Sequence, residues 1–141
     1  MDPLSVATSV AGLLGLMVHV SQMLYERAHT LKNAAADAQE LLGELDLLRQ
    51  ILTRLETFLR GQALKSHLFG NTSVLINSIK GCSTKVSAIQ LTLEKLGQKQ
   101  SLAQIIERGK WYFERDEHQE IVTTLHRYLG IFQLLLSVGG M

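Results

Sequence analysis

The chain has 141 residues, with 14 Lys/Arg against 13 Asp/Glu, one cysteine and one proline. That length makes one domain with room for a real core. A net charge of +1 gives no case for nucleic acid as a partner. A lone Cys82 excludes an internal disulfide and fits a reducing, cytoplasmic compartment.

Proline only at position 3, and few turn clusters, predict an all-α fold. Asp2 is placed to cap the first helix and Pro3 to open it, since the amide that proline lacks has no partner there. From Pro3 to Tyr25 there is no Lys, Arg, Asp or Glu. A bilayer core is spanned by about 20 helical residues, so this stretch is long enough to cross one. Val6, Val10, Leu13, Met17, Val20 and Leu24 form an apolar seam at helical spacing, flanked by Leu14 and Leu16. Ser5, Thr8, Gly12, Gly15, His19 and Gln22 form an opposite row of small or weakly polar side chains. Ala7, Ala11 and Gly15 repeat every fourth residue, with Gly12 beside them, as in helices that approach closely in lipid. Such a helix is compatible with a protein core and with a bilayer. Asp2 stands where a secretory signal carries Lys or Arg, and no clean cleavage site follows, which argues against a leader. The helix is expected to reach about residue 31.

The second helix, about 36–60, carries Leu41, Leu45, Leu48, Leu52, Leu55 and Leu59 in a regular seam, with Glu40 and Glu44 off it. Gly61 is expected to end it. After an irregular stretch over 61–72, Leu75, Ile79, Cys82, Val86, Ile89, Leu93 and Leu96 mark a third helix that stops at Gly97. Cys82 falls on that seam and reads as a buried structural thiol. Ser101 opens a short helix through Leu102, Ile105 and Ile106, and a bend is expected at Gly109–Phe113. The last helix starts near Glu114 with the seam Ile121, Leu125, Tyr128, Phe132 and Leu135. The expected architecture is a helical bundle of four long helices plus one short helix, forming a single domain over residues 1–141.

Between Arg49 and Lys110 there are ten Lys/Arg and three Asp/Glu. That local excess favours an anionic lipid surface or another acidic partner. Lys110, Trp111 and Tyr112 form a candidate interfacial anchor, because Trp and Tyr favour the headgroup layer. A plug of Trp111, Tyr112 and Phe113 at one end of the core is the competing reading, and the one preferred. His19 at mid-bilayer is a candidate pH-sensitive brake, against a plain surface histidine.

Chemistry is not indicated. Glu26 and His29 form one Glu-x-x-His pair where a carboxylate-bridged metal bundle needs two. His118 and His126 lie eight residues apart, too far for adjacent-turn ligation, and no glycine pattern fits a phosphate loop. No catalytic, cofactor or metal site is expected, and an enzyme is not.

The opening MDPLSVATSVAGLLGL, the stretch AQELLGELDLLRQIL and the segment RGKWYFERDEHQEIVTTLHRYLGIFQLLLS together resemble the fungal N-terminal domain of STAND proteins, also called the HeLo-like domain. The likeness covers essentially the whole chain. It implies an α-helical bundle heading a longer parent chain with a downstream nucleotide-switch or ankyrin-repeat region. The resemblance further implies cell-death and immune signalling, in which a hydrophobic N-terminal segment, here Pro3 to about Tyr25, leaves the bundle and permeabilises the plasma membrane. The expected partners are then anionic membrane lipid and further copies of the chain as a homo-oligomer. Two other readings are a soluble helical adaptor that never meets lipid and a permanently inserted anchor.

Overall fold

In a computed structural model the described residues are 3–28, 35–61, 72–98, 113 and 115–139. They form four helices: α1 (Pro3–Ala28), α2 (Ala35–Gly61), α3 (Thr72–Gln98) and α4 (Arg115–Gly139). Among the described residues there is no strand, so the fold is an all-α bundle. The short helix expected after Ser101 and the Lys110–Tyr112 stretch lie outside the described residues.

Each helix is amphipathic, and its apolar stripe decides how it sits. The α2 seam from Leu41 to Leu59 is buried at every position, with Ile51 beside it. Leu75, Ile79, Cys82, Val86, Ile89 and Leu93 of α3 are buried in the same core. On α4 the buried positions are His118, Ile121, Leu125, Leu129 and Phe132. Tyr128 and Leu135, both expected in the seam, are only partly buried, and Leu129 takes the inner place. A helix turns about 100° per residue, so residues 128 and 129 straddle one boundary and the neighbours decide which faces in.

Charges that suit the helix dipole occur at some of the helix ends. Asp37 lies in the first turn of α2 and Arg60 in its last. Asp116 and Glu117 occupy the first turn of α4, beside the positive end of its dipole. Gly61 closes α2 as expected, but α3 runs one residue past Gly97. No described glycine has a positive φ, so neither glycine acts as a left-handed cap.

Helix α1 packs closely against α2 and also against α3, while α4 packs against α2 and α3. The ring order is therefore α1–α2–α4–α3, with α1 opposite α4. Residues 29–34 are too few to run back along a helix about 39 Å long, so α1 and α2 are antiparallel. His118 meets Glu40 and His126 meets Glu44, so α4 runs in the direction of α2. Lys85 meets Glu120 and Gly81 meets Tyr128, so α3 runs against α4. The chain thus goes up, down, up, down, with the link over 62–71 joining helices that face each other across the core.

The α3–α4 crossing depends on a glycine. A Cβ at Gly81 would overlap the Tyr128 Oη and lie 3.1 Å from its Cζ. Tyr128 also stacks on buried Phe132, with ring centroids 6.2 Å apart, which limits its freedom to move aside. Gly81→Ala gains about 1 kcal/mol of helix propensity but loses about 1–3 kcal/mol to overpacking. The expected result is a melting temperature lower by about 3 °C. Adding Tyr128→Phe, which removes the closest atom, should recover part of the loss in a double-mutant cycle read by thermal unfolding.

Candidate functional site

Helix α1 occupies a corner of the bundle and has two unlike faces. Val6, Ala7, Val10, Leu13, Met17, Val20 and Leu24 are buried, and Leu14, Leu16 and Met23 pack partly buried at the edge. The predicted membrane-facing residues are therefore the inner face of α1 and its flank. The opposite row, Ser5, Thr8, Gly12, Gly15, His19 and Gln22, is exposed throughout. Leu4, Val18 and Tyr25 join it at 49%, 42% and 59% exposure.

The span Leu4–Glu26 is long and apolar enough to cross a membrane by length and composition, yet only 33% of it is buried. A central core helix is apolar because neighbours surround it; α1 is not surrounded. As far as Tyr25, charge is absent even from the side that faces outward.

The small-residue row divides. Ala7 is fully buried, Ala11 is half-buried, and Gly12 and Gly15 lie on the open face. A Cβ added at either glycine would meet nothing within 4 Å. Steps of four residues advance about 40° around a helix, so a row that begins at the core slides onto the surface within two turns. At its glycine end, the row makes no close helix approach within the bundle.

Two hydroxyls on the outer face bond to their own helix. Thr8 Oγ1 donates to the Leu4 carbonyl at 3.0 Å, and Ser9 Oγ donates to the Ser5 carbonyl at 3.3 Å. Such back-bonding satisfies a polar group without water.

Among the described residues, the ion pairs between helices join α3 to α4 and α2 to α4. Lys85 Nζ donates to Glu120 Oε1 at 2.8 Å across α3 and α4. That bond and the nearby positive charge hold the Glu120 carboxyl below its usual range. Between α2 and α4, His118 Nε2 lies 2.8 Å from Glu40 Oε1 and 3.7 Å from Asp37 Oδ1. Two turns on, exposed His126 Nδ1 lies 3.4 Å from Glu44. Within α2, Arg49 and Gln50 both donate to Asp46, and the Arg49 bond is the main cause of its lowered pKa.

Sequence spacing missed the His118 group because its members stand 78 residues apart. One signal was present. His118 precedes Ile121 by three and Leu125 by seven, so it occupies a seam position that its polarity concealed.

Phe113 is buried in the core, as a plug requires, whereas Lys110, Trp111 and Tyr112 lie outside the described residues. His29, the partner of Glu26 in the lone Glu-x-x-His pair, also lies outside them. Cys82 is fully buried, and burial pushes its thiol up to about 12.

These features define a helical-bundle domain whose N-terminal helix is apolar and free of Lys, Arg, Asp and Glu from Pro3 to Tyr25. The model of the pigment biosynthesis cluster protein PigL N-terminal family matches residues 1–136, and the chain belongs to that family. The family is HeLo-like and helical, which agrees with the resemblance in the sequence at the level of the domain. Neither the curated proteins nor the solved structures contain a match.

The Cys82 environment makes two predictions. The native protein at pH 8 should resist thiol reagents and react fully once unfolded, as read by Ellman titration with and without denaturant. The folded-state pKa is raised from 9.0 to about 12. The contribution of the neutral thiol to stability is therefore complete below pH 9 and lost as pH rises toward 12, which denaturant melts at pH 8 and 10.5 would detect.

Proposed function

We propose that this domain is a cytoplasmic cell-death or immune-signalling effector whose first helix leaves the bundle, inserts into the plasma membrane and permeabilises it as a homo-oligomer. On this reading it heads a STAND-type parent chain, where a downstream nucleotide-switch or ankyrin-repeat region governs release. The single observation behind the proposal is that the outer face of α1 is uncharged as far as Tyr25, on a span that is about one-third buried. A solvated helix face ordinarily carries ionised side chains, as α2 does at Asp46 and Arg49. The outer face of α1 carries Thr8 and Ser9, whose hydroxyls are already bonded within the helix and enter lipid at reduced cost.

Magnitudes limit how release occurs. Fully exposing side chains such as Val10, Leu13, Met17 and Leu24 to water costs about 1.5–3 kcal/mol each. The inner face together then loses roughly 10 kcal/mol or more, comparable with the whole stability of a domain, about 5–15 kcal/mol. In water α1 stays docked. A bilayer removes most of that penalty, and oligomerisation covers the row of Gly12, Gly15, His19 and Gln22. Membrane binding would begin at the anionic surface, attracted by the basic middle of the chain and by Lys110, Trp111 and Tyr112.

The test is dye release from anionic liposomes. Gly12→Glu and Val18→Lys place a charge on open surface, where neither disturbs the core, and both should abolish leakage while the circular dichroism melt is unchanged or slightly raised. Leu16→Lys is less informative, because Leu16 packs partly buried on the core. Leakage that persists in the two surface variants would falsify the proposal. The competing soluble adaptor keeps α1 docked in every state. Hydrogen exchange over residues 3–25 separates the two: the effector shows faster exchange or bilayer protection when vesicles are added, and the adaptor shows no change.

A further inference from the structure

We propose that Asp37, Glu40 and His118 form a zinc site that clamps the N-terminal turns of α2 and α4 together. One ligand atom from each of the three lies within 4.8 Å of the other two. Asp37 and Glu40 are three residues apart on α2, so one helical face presents both carboxylates. His118 comes from a helix far along the chain, and the fold alone brings it there.

His118 is only 1% exposed and belongs to the buried seam of α4, so its ring is held by packing and not by solvent. Its Nε2 is directed out of the core at both carboxylates, 2.8 Å and 3.7 Å away. Ligand atoms around a tetrahedral zinc with bonds of about 2.0–2.2 Å stand about 3.4 Å apart. The observed pair of distances brackets that value. At the two edges that meet His118, placing the ion requires opening one gap and closing the other by well under an ångström, and the two carboxylate oxygens already lie within 4.8 Å of each other. Both carboxylates are half-exposed and free to make that adjustment, at 51% and 48% side-chain exposure.

One imidazole and two carboxylates is a mixed nitrogen–oxygen set suited to zinc, with the fourth position taken by water from the open side. A zinc-bound Nε2 carries no proton, so His118 would bind as the tautomer protonated at Nδ1. Zinc uptake therefore competes with protonation and weakens as pH falls. The neighbouring His126–Glu44 pair lacks these properties: its histidine is exposed, and among the described residues no third ligand group converges on it. The site is independent of the membrane reading, because it joins α2 to α4 and leaves α1 untouched.

The test is calorimetric titration of chelator-treated protein with zinc chloride, with cobalt(II) absorption as a spectroscopic probe of tetrahedral ligation. The expected result is one zinc per chain, a higher melting temperature with zinc, and the visible bands of four-coordinate cobalt. Asp37→Asn and Glu40→Gln, both half-exposed changes, should each weaken zinc binding by about tenfold or more, and His126→Ala should leave it unchanged. Stoichiometric binding that is insensitive to Asp37→Asn and Glu40→Gln, loss of binding in His126→Ala, or no binding below millimolar zinc would each overturn the assignment.

Discussion

The unbroken leucine seam of α2 is the constraint on which this bundle depends. From Leu41 to Leu59, every seam position is buried, and α2 is flanked by α1 on one side and α4 on the other. Its seam is therefore shared between the apolar faces of α1 and α4, with α1 the more closely packed of the two. Because the same leucines serve two neighbours, the loss of one neighbour leaves the seam partly covered. In water, however, a bare α2 face would be costly enough to keep α1 in place.

The cohesion of the four helices is uneven in kind. Helices α2, α3 and α4 are joined by apolar packing and by charged or polar pairs, Lys85–Glu120, His118–Glu40 and His126–Glu44. The first 23 residues of α1 contain no carboxylate, lysine or arginine with which to form a comparable pair, and its one histidine lies on the exposed face. Its docking is dominated by hydrophobic contact, which is non-directional and transferable to any apolar medium. Ion pairs and hydrogen bonds are not transferable in that way. The helix that is best suited to leave is thus also the one whose attachment another apolar environment can replace.

Close packing appears where the chain has surrendered a side chain. Gly81 admits the Tyr128 phenol between α3 and α4, while Gly12 and Gly15 admit nothing within the bundle. The two uses of glycine have different physical meanings. At Gly81 the missing Cβ is occupied by a neighbour and its restoration is a clash. At Gly12 and Gly15 the helix forgoes its own stability, about 1 kcal/mol per residue, with no internal contact in return.

Much of the fold was legible in the order of residues. Helical periodicity identified four long helices, the inner faces of α1, α2 and α3, and the burial of Cys82, because each depends on spacing along a single element. The charge-free run from Pro3 to Tyr25 was equally plain. Three matters were decided only in three dimensions. Which of Tyr128 and Leu129 faces inward depended on the neighbours of α4. Whether Gly12 and Gly15 touch another helix depended on the bundle's ring order. The meeting of His118 with Asp37 and Glu40 required two parallel helices to lie side by side. Sequence alone determines what a helix offers on each face, since that is local chemistry; which face meets which partner is a long-range choice, made by the joint packing of all four.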